Sequence, residues 1–173
     1  MDKALIVIDM QVDFLTGSLA NKEGVEAIPN VIKEIESFDG DVYATLDTHS
    51  ENYLESNEGH YLPVVHCVKG TPGHLEEKAV DAALKAHPNF KGYIEKPTFG
   101  YLGWKEVLPA STKEIELIGV CTDICVLSNA AILKAAFPNA KISCKASCCA
   151  GVTPELHESA LKMLSSIQVE VIK

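Results

Sequence analysis

The chain has 173 residues, 47% of them hydrophobic and 23% charged, a length and composition that fit one domain over 1–173 rather than two. Its net charge is -9 and all 15 basic residues are lysines, which argues against a nucleic-acid grip and removes the guanidinium fork that clamps phosphates and carboxylates. No apolar run reaches the ~20 residues of a membrane span, and the short apolar N-terminal stretch lacks a small-residue cleavage site, so the expectation is a cytoplasmic protein with neither membrane nor nucleic-acid partner.

In chain order, residues 3–9 (KALIVID) form a continuous aliphatic run of the kind found in strands buried on both faces. Val25, Ile28, Ile32, Ile35 and Phe38 recur at helical spacing and predict a helix over 25–38, ended by Gly40. Residues 41–47 (DVYATLD) predict a second strand. A polar segment with Gly59, Gly70 and Pro72 runs from 48 to about 73. Unstructured stretches of that length are uncommon in compact domains and often functional. A helix over 75–86, a short strand over 93–95, a strand over 114–119, a helix over 123–137 and a strand over 140–145 come next. Residues 154–165 predict a helix opened by Pro154, where a missing N–H does no harm, and 169–172 predict the last strand. Strands alternating with helices imply an α/β fold: a three-layer, Rossmann-like arrangement in which a mostly parallel six-stranded sheet carries helices on both faces.

The even set of cysteines, Cys67, Cys121, Cys125, Cys144, Cys148 and Cys149, invites a disulfide framework. A large aliphatic core without an export signal favours free thiols instead. Cys144, Cys148 and Cys149 read as packing residues around the end of the fifth strand, with a zinc or redox cluster as the alternative.

Ligands of open α/β sheets bind beyond the carboxyl ends of the strands. Those ends carry Asp9, then Asp47 with His49 two residues on, then Glu95 and Lys96, then Gly119 and Val120 followed by Cys121 and Cys125. Singly, each has an ordinary reading: a turn residue, a solvated lysine, loop histidines, a small buried hydrophobe. Jointly they bring an acid, an ammonium, a thiol and metal donors to one sheet edge. Cys125, in GVCTDICV, falls in the first turn of a predicted helix, where unpaired N–H groups stabilise an anion and are expected to lower its pKa. Cys121 is a rival nucleophile, placed at the turn with its N–H available to an oxyanion. Asp47, His49 and His66 offer donors suited to zinc, manganese or iron, and the same loop holds Glu51, Glu55, Glu58 and His60. His74, His87 and His157 read as surface or helix-end residues without a role.

Six blocks in order, LIVIDMQVDF, ATLDTH, LPVVHCVKGTPG, EKPTFGYLGW, IGVCTDICV and CCAGVTPELHESAL, span nearly the whole chain. With these the sequence resembles the isochorismatase-like cysteine hydrolases, the nicotinamidases most closely. The resemblance implies an Asp–Lys–Cys triad on Asp9, Lys96 and Cys125, an oxyanion hole from the backbone N–H groups of Cys121 and Cys125, and a cis peptide between Val120 and Cys121. It implies a divalent metal, zinc first with manganese or iron as alternatives, on Asp47, His49 and His66. The string NEGHYLPVVH resembles members whose fourth ligand is a Glu, which selects Glu58, with His60 as second choice. Phe14, Tyr101 and Trp104 resemble the aromatic residues of the substrate slot.

The implied activity is hydrolysis of nicotinamide to nicotinate and ammonia through a thioester on Cys125. Alternatives are a family hydrolase acting on another small amide, N-carbamoyl or ureido compound, an isochorismatase-type vinyl-ether hydrolase, and a redox or metal-binding module without catalysis. A small-molecule amide is the expected partner, and the family's habits imply a homo-oligomer.

Overall fold

In the computed structural model, which describes residues 2–173, the aliphatic run near the N-terminus is the central strand β1 (Lys3–Ile8). Its side chains alternate between two cores. Ala4, Ile6 and Ile8 enter one cluster, Leu5 and Val7 the other. Leu5 through Ile8 are fully buried, and each such aliphatic residue stabilises the fold by about 1.5–3 kcal/mol. This is why the segment is apolar without a break.

The other strands are β2 (Asp41–Asp47), β3 (Phe90–Lys96), β4 (Glu114–Val120), β5 (Lys141–Ala150) and β6 (Glu170–Ile172). They form one six-stranded sheet in the order β3-β2-β1-β4-β5-β6. Every adjacent pair is parallel, so the mostly parallel sheet of the sequence reading is wholly parallel. The helices are α1 (Val12–Leu15), α2 (Lys22–Ser37), α3 (Asn57–Tyr61), α4 (Lys78–Ala86), α5 (Trp104–Val107), α6 (Leu127–Ala136) and α7 (Pro154–Ser166). Leu15, Val31, Ile35, Val80 and Leu84 bring α1, α2 and α4 onto one face of the sheet. Trp104, Ala130, Leu133 and Leu164 bring α5, α6 and α7 onto the other. Three layers result, as expected. Among the described residues no helix is long and apolar enough to cross a membrane, and all six cysteines are free.

The strand read over 93–95 spans Phe90–Lys96, and the helix read over 123–137 is Leu127–Ala136 after a π-helical turn; three further boundaries depart from the sequence reading, each for a local reason. α2 begins at Lys22 because the Asn21 side chain accepts from the Gly24 N–H at 2.8 Å, and such a cap sets the start even where the first turn is polar. α4 begins at Lys78, capped by the Glu77 carboxylate on the N–H groups of Ala79 and Val80; Leu75 is exposed and belongs to no helical face. β5 continues to Ala150 through an irregularity opposite Leu117 and Gly119. The extra residues there break the period-two alternation, which is the signal by which a strand is read. As a result Cys144 and Cys149 share one face, with their sulfurs 3.6 Å apart.

The register places the working ends level. Asp47 pairs with Lys96, and Ile8 pairs with both Thr45 and Gly119. The strand order reverses between β1 and β4, the crevice where doubly wound sheets bind ligands. Gly119 sits there at φ 115°, and a Cβ on it would lie 2.1 Å from the Ile8 carbonyl oxygen, so only glycine lets β4 approach β1 so closely.

Candidate active site

Asp9 is the first residue past β1, and its backbone turns into the left-handed region at φ 48°. That conformation costs a non-glycine residue about 1 kcal/mol and is more common for Asp than for most. Thr45 from β2 holds it there: the Asp9 N–H donates to Thr45 Oγ1 at 3.2 Å, and that hydroxyl donates to Asp9 Oδ1 at 2.6 Å. Lys96, at the end of β3, reaches inward with a side chain that is wholly buried. Its Nζ lies 2.6 Å from Asp9 Oδ2 and 3.6 Å from Asp47 Oδ1. It also donates to the Thr98 carbonyl at 3.2 Å and points at Cys125 Sγ from 3.7 Å. It makes no hydrogen bond to the sulfur of Cys121.

Cys125 stands in a π-helical turn, Thr122–Val126, between β4 and α6, a kind of turn that recurs at functional sites. The Val120–Cys121 peptide just before it is cis, as the resemblance implied. The lowered thiol pKa expected from a helix N-terminus does not hold. Burial, then the Asp9 carboxylate, push the Cys125 thiol well above its ordinary value, with Lys96 only partly opposing them. The resting group is therefore a thiol facing Asp9, not a free thiolate. Burial and the charge on Asp47 also raise the Asp9 carboxyl despite Lys96, which makes it a stronger base. The Lys96 ammonium is disfavoured by burial, but the Asp9 carboxylate outweighs this and keeps it charged. Burial and nearby carboxylates push Cys121 up to about 12.

Beside this group stand Asp47, His49, Glu58 and His66, one ligand atom of each lying within 4.8 Å of all the others. β2 delivers Asp47. His49 is fixed as the chain doubles back: its N–H donates to the Cys67 carbonyl and its carbonyl accepts from the Lys69 N–H. Cys67 turns at φ 47° and its N–H donates to Asp13 Oδ2 at 2.8 Å, which sets His66 opposite His49. His66 Nδ1 lies 2.7 Å from the Val64 carbonyl. A carbonyl only accepts, so Nδ1 carries a hydrogen, and Nε2 faces Asp47 Oδ2 at 3.5 Å, where it donates when protonated and would offer its lone pair to an ion when neutral. Glu58 Oε1 sits 3.5 Å from His49 Nε2 and 3.7 Å from His66 Nε2. Glu58 Oε1 is buried with no hydrogen-bond partner, and Asp47 Oδ1 has none either, only the Lys96 ammonium at 3.6 Å. Orphaned anionic oxygens are costly unless a cation meets them. Burial works against the Asp47 charge, but hydrogen bonds from His49 and His66 and the charge on Lys96 hold its pKa below the usual carboxylate range. Two imidazoles and two carboxylates so arranged fit a divalent ion. His60 is exposed on α3 and Glu55 is exposed before it, so neither joins the cluster.

Both groups open onto one cavity of about 1090 Å³, whose wall includes Cys125, Cys121, Asp47, His49, His66 and Phe14. Residues 3–173 match the family model of the isochorismatase domain. The chain belongs to the isochorismatase family. It is 28% identical over 145 residues to the nicotinamidase/pyrazinamidase of Mycobacterium tuberculosis, covering 74% of this chain and 76% of that protein. Its fold superposes on the nicotinamidase/pyrazinamidase PncA of Bacillus subtilis with a TM-score of 0.82 and 26% identity over the full length of both chains. The pyrazinamidase of Pyrococcus horikoshii in complex with zinc gives a TM-score of 0.77 and 27% identity, over 100% of this chain and 99% of that one.

Within this isochorismatase fold, two of the aromatic residues expected in the substrate slot lie elsewhere. Trp104 is fully buried, its Nε1 donating to Asn129 Oδ1 at 3.0 Å, and Tyr101 packs edge-on against it at 5.3 Å. Neither lines the cavity, whereas Phe14 does and Phe99 of the same segment does. Anchoring by Asn129 turns the Tyr101–Trp104 pair into the core and leaves Phe99 at the wall. The histidines set aside also need revision. His74 is buried and its Nε2 bonds the Thr48 hydroxyl at 2.9 Å. His157 bonds Thr122 Oγ1, in the turn that carries Cys125, at 2.8 Å. His87 does cap α4, as a helix-end residue.

Three site residues escaped the sequence reading. Thr45 clasps Asp9. Gln11 accepts from the Asp47 N–H at 2.7 Å and donates to the carbonyls of Asp47 and His74 at 2.9 and 2.8 Å. Asn129 uses its whole bonding capacity: Oδ1 accepts from the Tyr101 N–H and Trp104 Nε1, and Nδ2 donates to the Cys125 and Phe99 carbonyls. Only the pair Ser128–Asn129, in a helix otherwise apolar but for Lys134, marks Asn129 in the sequence.

Proposed function

We propose that this protein is a cysteine-dependent amidohydrolase, a nicotinamidase that converts nicotinamide and water to nicotinate and ammonia. The observation that carries the reading is the position of Lys96 Nζ, 2.6 Å from Asp9 Oδ2 and 3.7 Å from Cys125 Sγ, buried behind a cavity that Cys125 lines together with the four metal donors. The relatives named as nicotinamidases and pyrazinamidases support it. So does the cavity wall, whose only carboxylates are Asp47 and Glu58 and which contains no lysine. Such a wall suits a neutral amide and offers nothing to pair with the carboxylates of an isochorismatase-type substrate.

In the proposed mechanism Asp9 takes the proton from Cys125 Sγ as the sulfur attacks the amide carbonyl carbon. Lys96 stays charged, balancing the negative charge as it passes from the carboxylate to the sulfur. The tetrahedral oxyanion accepts from the backbone N–H groups of Cys121 and Cys125. The C–N bond breaks as Asp9 returns its proton to the departing ammonia, leaving a thioester on Cys125. Asp9 then activates the water that hydrolyses the thioester and releases the acid. Asp47, His49, Glu58 and His66 would hold a divalent ion, for which the zinc-bound Pyrococcus horikoshii relative makes zinc the first choice, and it would supply a Lewis-acid anchor for the ring nitrogen. A cytoplasmic homo-oligomer belongs to the same proposal, its size measurable by light scattering.

The test is ammonia release from nicotinamide, pyrazinamide and an N-carbamoyl amine, with rapid-quench mass spectrometry on the preferred one. The proposal expects the first two to turn over and an acyl adduct on Cys125. Turnover of the N-carbamoyl compound alone overturns the substrate, and an adduct on Cys121 overturns the nucleophile.

A further inference from the structure

The cavity has room for more than nicotinamide alone. At about 1090 Å³ it lies just above the roughly 300–1,000 Å³ that hold drug-sized ligands, whereas nicotinamide is a single ring with a carboxamide. Its two ends also differ in kind. The inner end holds Cys125 and the metal donors. The outer wall is formed by Leu19, Tyr61, Leu62, Phe99, Ile124 and Val152. Four of these are large apolar side chains left exposed at the mouth: Tyr61 by 86%, Val152 by 50%, Phe99 by 43% and Leu62 by 38%. Scattered exposed hydrophobic residues need no explanation, but a set converging on one catalytic cavity marks a binding surface. Apart from the metal donors the cavity lining carries no charged side chain, its other polar groups being Ser18, Asn21, Ser56, Asn57 and Thr98.

We propose that the amide substrate carries an uncharged apolar substituent, seated against Tyr61, Leu62, Phe99 and Val152. The inference rests on the carboxamidase reading above and sharpens its substrate class. Chemistry fixes where the substituent lies. With the carbonyl carbon at Cys125 and the ring nitrogen toward the metal donors, the ring carbon facing away from both anchors is carbon 5. A group attached there leaves the inner end toward the apolar wall.

The probes are nicotinamide, 5-phenylnicotinamide and 5-carboxynicotinamide, compared by steady-state ammonia release with the metal-loaded enzyme. Covering part of a phenyl ring and of the wall facing it raises kcat/KM by about tenfold over nicotinamide, mainly through KM. The carboxylate analogue, of similar reach but charged, falls about tenfold or more below nicotinamide. Leu62→Ala lowers kcat/KM for the phenyl compound by a larger factor than for nicotinamide, through KM. Turnover of nicotinamide with the phenyl compound equal or worse overturns the inference and leaves the carboxamidase reading standing, as when a second copy of the chain covers the mouth. Hydrolysis of none of the three overturns the carboxamidase reading itself.

Discussion

Replacing Lys96 with methionine tests the electrostatic frame of the site most directly. The substitution keeps most of the side-chain volume and deletes the charge. The ammonium it removes sits 2.6 Å from Asp9 Oδ2 and 3.6 Å from Asp47 Oδ1, with all three side chains at most 2% exposed. Two buried carboxylates then face each other without a cation. Breaking a buried pair by removing one partner costs about 3–5 kcal/mol. A chain of this size loses about 2–4 °C of Tm per kcal/mol, so Lys96→Met should melt roughly 6–20 °C below the parent. Urea denaturation at neutral pH with a chelator present, so that no ion compensates Asp47, measures the loss. Because the folded pKa of Lys96 is raised above its ordinary 10.5, the stabilisation is fully present below that value. It is lost only as pH rises through the folded pKa, so neutral pH reads the whole effect. Adding Asp9→Asn removes the second charge and should recover part of the loss, giving a favourable coupling in the double-mutant cycle. A loss under about 1 kcal/mol, or strict additivity of the two changes, would refute the idea that these charges hold each other inside the protein.

Asn129→Ala strands the Trp104 and Tyr101 N–H groups and the Cys125 carbonyl; at about 1–3 kcal/mol per buried unsatisfied group, chemical denaturation should show at least about 3 kcal/mol lost, with kcat falling as the Cys125 turn loosens. Glu58→Gln should lower the bound metal well below one ion per chain, by elemental analysis, while His60→Ala, on an exposed residue, leaves the stoichiometry unchanged. Glu76 is buried with both carboxylate oxygens unpartnered, and burial raises its pKa well above 4.5. The folded chain thus keeps a proton that the unfolded chain releases, and its stability contribution falls as pH rises from about 4.5 through the folded pKa, by up to about 1.4 kcal/mol per pH unit. Glu76→Gln should flatten that slope in thermal melts taken across the range.

Local pattern alone determined the six strands, their alternation with helices and the residues at the strand tips. An aliphatic run such as LIVI has few solutions other than a strand buried on both faces, and the chain must leave such a strand at its polar end, which is where Asp9, Asp47 and Lys96 stand. The turn sequence GVCTDICV singled out Cys125, the family blocks selected Glu58 over His60, and the structure brings Asp47, His49, Glu58 and His66 together. Tertiary structure decided the rest. Thr45, Gln11 and Asn129 matter chiefly through partners 25 to 63 positions away, and apart from the Ser128 beside Asn129 nothing in their neighbours along the chain marks them. Tyr101 and Trp104 were assigned to the slot by resemblance, yet Asn129 draws them into the core. The Cys125 thiol was expected to be acidic from its place near a helix start. Helix position is a local property, but desolvation and the field of Asp9 depend on which strands pack around the sulfur, and that packing reverses the direction of the shift. Periodicity reports which side of an element is buried; what a buried group meets there depends on segments remote in sequence.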